Sequence, residues 1–176
     1  MIAIIDVGYE ESSALAACVT INDWADATPL TTQSLAISQV AEYLPGEFYK
    51  RELPCIQQVL AELDSTPEII VIDGFVWLDE NGRKGLGARL FDHLGGNTPV
   101  IGVAKTSFAT ATNALKVYRG ASSRPLFVTA AGIDTNVAAN AILRMHGSSR
   151  LPTMLTLVDR LSKGSILPSS GNSRIP

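Results

Sequence analysis

The chain alternates between short apolar runs and polar, turn-forming breaks. Ile2-Ala3-Ile4-Ile5 and Ile69-Ile70-Val71-Ile72 are unbroken aliphatic stretches. Runs of this kind fit strands buried on both faces, as in the parallel part of an α/β sheet. Residues 2–7 read as a strand, followed by a turn at Gly8-Tyr9-Glu10-Glu11-Ser12. Residues 14–21 read as a second strand, despite alanines that would also suit a helix, and a third lies within 30–37. Short turns between the three predict an antiparallel meander. Tyr43-Leu44-Pro45-Gly46 breaks the pattern, with Pro-Gly marking a turn. Leu53, Ile56, Val59, Leu60 and Leu63 then fall at helical spacing and predict a helix over 51–63. Pro54 fits only the first turn of that helix, which sets Glu52 at or beside its N-terminus.

A buried strand over 68–73 follows. Phe75-Val76-Trp77-Leu78 with Asp79-Glu80-Asn81-Gly82 predicts a hairpin on an Asn-Gly turn. A helix over 86–94, a buried strand over 99–104, strands over 115–118 and 126–129, and helices over 135–145 and 153–161 complete the pattern. Residues 163–176 are turn-forming and poor in core residues, so a loose tail is expected there. The order β-β-β-α-β-α-β, then mixed elements, is that of the ribonuclease H-like fold. This is an α/β architecture whose mixed central sheet begins with three antiparallel strands, continues with parallel strands and is flanked by helices. Its first and fourth strands are parallel neighbours. One such domain over residues 1–162 accounts for most of the 176-residue chain.

Both aliphatic runs end on an acid, Asp6-Val7-Gly8 and Asp73-Gly74. Ligands and catalytic groups gather at the carboxyl ends of strands in open α/β sheets. Side by side, two such carboxylates would bind a hard divalent cation such as Mg²⁺. A carboxylate at the end of a buried strand needs a partner, and a metal, a helix N-terminus or an arginine each supplies one. Glu52 at a helix start also serves the helix dipole, a term of ~0.3–1 kcal/mol. Asp159, in the last predicted helix, reads by itself as a solvated surface acid. Lys105 follows a buried strand on the same rim as Asp73, a place that suits a phosphate contact or plain solvation.

Charge changes this picture through its distribution. The net charge of −3 and pI near 5.3 argue mildly against a nucleic-acid partner. Yet residues 1–49 hold seven acids and no Lys or Arg, while residues 50–176 hold all fourteen bases against ten acids, a balance of +4. The later part of the chain can therefore build a phosphate-binding face. No apolar run approaches the ~20 residues of a membrane span. Residues 1–5 lack a basic n-region, so no signal peptide is expected. Cys18 and Cys55 lack metal-type spacing and read as buried free thiols in a reducing cytoplasm. His93 and His146 are isolated, which excludes a zinc motif. Gly85-Leu86-Gly87 lacks the third glycine and preceding strand of a dinucleotide fingerprint. There is no GxxxxGK[ST] phosphate loop and no Gly-x-Ser-x-Gly elbow.

Six segments in register resemble the endonuclease V family, which shares the ribonuclease H-like fold. Asp6-Val7-Gly8-Tyr9 resembles its D-V-x-Y strand. Tyr43-Leu44-Pro45-Gly46, Phe48 and Arg51-Glu52-Leu53-Pro54 resemble its Y-x-P-G-x-[LF]-x-x-R-E-x-P block. Val71-Ile72-Asp73-Gly74 resembles its V-D-G strand end, and Pro99-Val100-Ile101-Gly102-Val103-Ala104-Lys105 its P-T-I-G-V-A-K. Arg124-Pro125-Leu126-Phe127-Val128 resembles its P-L-[FY]-[VI] strand. Arg150-Leu151-Pro152, with Asp159 seven residues beyond Pro152, resembles its R-L-P-E-P-T-R-x-A-[DH].

The resemblance implies a metal-dependent nuclease that cuts deaminated DNA or RNA near inosine. It implies that Asp6, Glu52, Asp73 and Asp159 surround Mg²⁺, with Mn²⁺ as an alternative, and that Lys105 contacts the scissile phosphate. Tyr43-Leu44-Pro45-Gly46 would form the wedge beside the damaged base. A cytoplasmic monomer with no membrane partner is expected. The chain departs from the pattern at four places. The family's D-G-H-G is Asp73-Gly74-Phe75-Val76 here, and its G-x-A-S-H is Gly85-Leu86-Gly87-Ala88-Arg89. Its G-H after the P-L-[FY] strand is Ala131-Gly132, and its E-P-T-R is Thr153-Met154-Leu155-Thr156. The acids are kept while the surrounding histidines are lost. Two other readings therefore stand beside the first: a nucleic-acid-binding or regulatory protein with weak or no catalysis, and a nuclease that no longer reads inosine.

Overall fold

The computed structural model describes residues 1–10, 12–38, 40–41 and 46–165. Seven strands form one mixed sheet: β1 (Ile2–Glu10), β2 (Ser13–Ile21), β3 (Thr31–Ile37), β4 (Ile69–Asp73), β5 (Val100–Ala104), β6 (Leu115–Val117) and β7 (Leu126–Ala131). Their spatial order is β3-β2-β1-β4-β5-β7-β6. The first three strands are antiparallel, β1, β4 and β5 run parallel, and β7 and β6 return antiparallel. Among the described residues four helices cover it: α1 (Tyr49–Ala61), α2 (Leu86–His93), α3 (Thr135–Arg144) and α4 (Thr153–Ser162).

Side chains alternate across a strand, so each strand feeds two cores. Ile2 and Ile4 of β1, Val71 of β4, and Ile101 and Val103 of β5 pack with Ile142 of α3 and Leu155 and Val158 of α4. Ala3, Ile5 and Val7 of β1, with Ile70 and Ile72 of β4, pack on the other face with Ile56 and Val59 of α1 and Leu90 of α2. Burying an aliphatic side chain of this size contributes about 1.5–3 kcal/mol. The two-sided demand explains why β1, β4 and β5 read as continuous apolar runs. The alanines of β2 are buried and lie between β1 and β3, where a helix has no room.

Three local expectations change. Gly8-Tyr9-Glu10 is strand, not turn; β1 runs on to Glu10 in register with Ser13 of β2. Gly8 is there for close approach: a Cβ on it would lie 2.1 Å from the Ser162 carbonyl oxygen at the end of α4. Pro54 lies inside α1 rather than in its first turn. The helix begins earlier because the Lys50 and Arg51 amides bond to the carbonyls of Glu47 and Phe48, adding a tight turn ahead of the predicted start. The expected hairpin after β4 is reduced to a single bridge between Trp77 and Lys84. Its strand residues instead cross over β5, where a Cβ on Gly102 would lie 2.5 Å from the Gly74 carbonyl oxygen. The Val76 amide reaches Thr129 Oγ1 of β7 at 2.8 Å, and Trp77 Nε1 reaches the Ala130 carbonyl at 2.9 Å. Most of the stretch expected as a loose tail, 166–176, lies outside the described residues.

Replacing Gly8 by alanine must push α4 off β1. We expect a loss of about 1–3 kcal/mol in urea unfolding, against little change for alanine at an exposed strand position.

Candidate active site

Parity and register bring three of the predicted residues, Asp6, Asp73 and Lys105, to one rim. Ile5 pairs with Ile72 in the parallel β1–β4 ladder, so Asp6 and Asp73 stand one step further on as neighbours. Both have the parity of Ile4 and Val71, which face α4. Lys105 lies two residues past Val103 on β5, on the same face. Helix α4 supplies the fourth group: Asp159 falls one turn after Leu155, which anchors the helix in the core. Asp6, Asp73, Lys105 and Asp159 line one narrow crevice floored by Ile5, Val103, Leu155 and Val158.

Lys105 stands between two of the acids. Its Nζ donates to Asp73 Oδ2 at 2.7 Å and to Asp159 Oδ1 at 2.8 Å. Asp159 Oδ2 also accepts from Lys163 Nζ at 2.7 Å. The reading of Asp159 as a lone surface acid is thereby replaced: it is the shared acceptor of two ammonium groups. Burial works against its charge, but the two lysines outweigh it and hold its carboxyl below the ordinary range. Burial likewise opposes the Lys105 ammonium, and the hydrogen bonds to Asp159 and Asp73 outweigh that, raising its pKa. Asp6 is compensated differently. Its Oδ2 accepts the Ser162 hydroxyl at 2.5 Å. Burial pushes its carboxyl upward, the Ser162 bond pulls back, and the charge of Asp73 pushes up again.

Glu52 approaches from the other face. It sits on α1 among Cys55, Ile56 and Val59, only 6% exposed. Over the end of the sheet it is close enough to feel Asp6 and Asp73. Burial first, then those two charges, raise its pKa well above the ordinary value. Its carboxylate has no cation or hydrogen-bond donor among the described residues, so service to the helix dipole does not account for it. As placed, no three His, Cys, Asp or Glu side chains among the described residues form a group that could hold a metal ion. Lys105 is wedged between Asp73 and Asp159, Ser162 ties down Asp6, and Glu52 lies across the sheet edge.

Of the wedge Tyr43-Leu44-Pro45-Gly46, the first three residues lie outside the described residues. Gly46 has φ +81° and borders a cavity of about 420 Å³ that also touches Glu52 and Asp73. Phe48, Phe75 and Phe108 line it, with Arg83, Lys84 and Arg89 also on its walls. The Phe75 and Phe108 rings lie 6.1 Å apart and tilted by 49°.

Three supporting residues were not singled out for these roles from the chain alone. Ser162, three residues after Asp159, shares its helix face, and i,i+3 spacing was the available signal. Arg150 donates through Nη2 to the carbonyls of Lys105 and Pro125, the latter at 2.7 Å, and so pins the backbone that carries Lys105. Arg119 is buried and donates to the carbonyls of Met145, Gly147 and Ser149. It ties down the loop that carries Arg150 and leads into α4. Nothing in its sequence neighbourhood marks it, because its acceptors are all backbone.

A ribonuclease H-like sheet with acids converging on the carboxyl ends of its central strands is the class that fold and rim define. The endonuclease V family profile matches residues 1–123. The endonuclease V of Azotobacter vinelandii is 32% identical over 123 residues, which is 68% of this chain and 53% of that protein. The chain spans about half the length of such curated relatives. The solved endonuclease V of Streptomyces avermitilis superposes with TM-score 0.74 at 24% identity, covering 93% of this chain and 80% of that one. The endonuclease V of Ciona intestinalis, solved with a 23mer DNA containing an inosine followed by a ribo-adenosine, superposes with TM-score 0.75 at 17% identity, over 93% and 84%. The chain belongs to the endonuclease V family.

The cost of burying Glu52 charged gives a pH signature. Its folded pKa is raised, so the folded state binds the proton more tightly than the unfolded one. Stability is then greatest in acid and is lost as pH rises from the ordinary glutamate range through the raised value. Glu52→Gln in metal-free buffer should raise the melting temperature by several degrees at pH 7. The gain should shrink as pH falls through the raised value and be gone below about 4.3, the ordinary Glu value.

Proposed function

We infer that this protein is a metal-dependent endonuclease that hydrolyses a phosphodiester bond in DNA or RNA, with a deaminated purine as the preferred mark. The observation that carries this reading is the convergence of Asp6, Asp73, Asp159 and Lys105 on one crevice, with buried Glu52 close enough to feel the charges of Asp6 and Asp73. The donor set fits a hard divalent cation: every acid offers oxygen, and burial first, then neighbouring carboxylate charge, holds Asp6 and Glu52 at raised pKa. Asp6, Glu52, Asp73 and Asp159 would hold Mg²⁺ or Mn²⁺. Such an ion supplies water activation and charge stabilisation at the leaving oxygen.

The chain's own groups account for the rest. The Lys105 ammonium now occupies the space between Asp73 and Asp159 that a cation would need. In the working complex it leaves those acids and donates to a non-bridging oxygen of the scissile phosphate. Arg150, through the Lys105 carbonyl, keeps the lysine on the rim as its tip moves. Ser162 holds Asp6 in one rotamer. The cavity beside Glu52 and Asp73 has room for a nucleobase, and Phe75 and Phe108 offer it stacking faces. Gly46 borders that cavity, and Tyr43-Leu44-Pro45-Gly46 would keep the strand parted there.

A nuclease that has lost inosine preference remains a second reading, because Phe75 and Arg89 stand where the family pattern has histidines. Matched oligonucleotides with and without hypoxanthine, as DNA and as RNA, separate the two under Mg²⁺. We expect cleavage that is faster with hypoxanthine. Equal rates support the second reading, and binding without any cleavage in Mg²⁺ or Mn²⁺ would sink both. Asp73→Asn should lower cleavage by about 10²–10³-fold or more while most binding survives. Lys105→Met should bind Mn²⁺ roughly tenfold more tightly than the parent without nucleic acid, read by electron paramagnetic resonance, since a unit charge beside two acids is gone. Its cleavage rate should nevertheless fall.

A further inference from the structure

Three cations border the cavity beside Glu52, and they differ in how they are compensated. Lys84 is neutralised by Asp92 at 2.5 Å. Arg83 is exposed to solvent. Arg89 is neither. It is half-buried on α2, with its guanidinium carbon 3.5 Å from the centroid of the Tyr49 ring. Its Nε is buried without a hydrogen-bond partner. Among the described residues no carboxylate or carbonyl receives its remaining N–H groups.

A guanidinium taken partly out of water without acceptors carries an uncompensated cost. Stacking on Tyr49 returns some of it and fixes the plane of the group. It leaves the edge of the fork, where the N–H groups point, free for a ligand. That edge matches two oxygens of a phosphate. The α2 N-terminus that carries Arg89 is held rigidly, because Gly85 and Gly87 lie against Phe75 and Val76 too closely for a Cβ. The aromatic faces of Phe75 and Phe108 take the flat part of a nucleotide, and the cation takes its anionic part.

We propose that Arg89, on its Tyr49 platform, is a phosphate-binding residue that holds a backbone phosphate of the nucleic-acid strand entering this cavity. The inference rests on the nuclease reading above and adds a positioning contact to it. Arg89 stands where the family pattern has a histidine, so this contact belongs to this chain's own version of the site. The plainer role is a clamp: Arg89 joins α2 to α1 through Tyr49 and touches no substrate.

Fluorescence anisotropy with labelled single-stranded oligonucleotides, with and without hypoxanthine and in metal-free buffer, separates these roles. It is run from about 50 to 300 mM KCl, with melting temperatures measured alongside. Arg89→Gln should weaken both oligonucleotides alike by about tenfold at low salt and reduce the slope of log Kd against log salt by about 0.7, the release of one phosphate contact. Arg89→Lys should recover the slope but only part of the affinity, having charge without the fork. An unchanged slope and affinity in Arg89→Gln, with or without a lowered melting temperature, leaves only the clamp and overturns the proposal. A loss confined to the hypoxanthine oligonucleotide at constant slope also overturns it, in favour of a base contact. A parent protein that binds and cleaves, beside an Arg89→Gln variant that binds equally well, removes this inference and leaves the nuclease reading standing. A parent that neither binds nor cleaves removes both.

Discussion

Repulsion among carboxylates at the carboxyl edge of a sheet is the constraint around which this molecule is built. Asp6 and Asp73 are forced together by the parallel β1–β4 register, and Glu52 and Asp159 are brought in from helices on opposite faces. Each would be costly there alone. The fold answers with a different device for each acid. Lys105 is shared by Asp73 and Asp159, Lys163 adds to Asp159, and the Ser162 hydroxyl serves Asp6. Glu52 receives no such partner among the described residues, and burial with the charges of Asp6 and Asp73 raises its pKa. A rim so arranged is compensated at Asp6, Asp73 and Asp159 and left short at Glu52.

The arms that hold this rim are longer than the rim itself. Gly8 lets α4 approach β1, and Gly102 lets the segment after β4 cross β5. Arg119 and Arg150 hold the loop before α4 entirely through carbonyl oxygens. The placement of Asp159 thus depends on contacts made far from it in the chain, by residues with no chemistry of their own to perform.

Much of this was legible in the amino-acid pattern, for identifiable reasons. Strands buried on both faces leave continuous aliphatic runs, so β1, β4 and β5 stood out, and with them Asp6 and Asp73 at the ends of the first two runs. Two-fold alternation then carries Asp6, Asp73 and Lys105 to the α4 face once the strand order is known. The misplaced features share a cause, which is that tertiary contact overrode local preference. Gly8 was read as a turn because the helix packed on it lies more than 150 residues away. Pro54 was read as a helix start because the tight turn ahead of Tyr49 leaves no strong local mark. Phe75-Val76-Trp77-Leu78 has the alternation of a hairpin arm, yet Thr129 and Ala130 of β7 claim its polar groups. The role of Asp159 as a two-lysine acceptor depends on Lys105, 54 positions earlier, which no window on the helix reveals.

The bond between Ser162 and Asp6 joins residues 156 positions apart and ties the last described helix to the first strand. During synthesis, β1 leaves the ribosome early, but its acid gains its hydroxyl partner and its neighbour Asp159 only after α4 emerges. The nascent polypeptide therefore carries these carboxylates dispersed until α4 has been made.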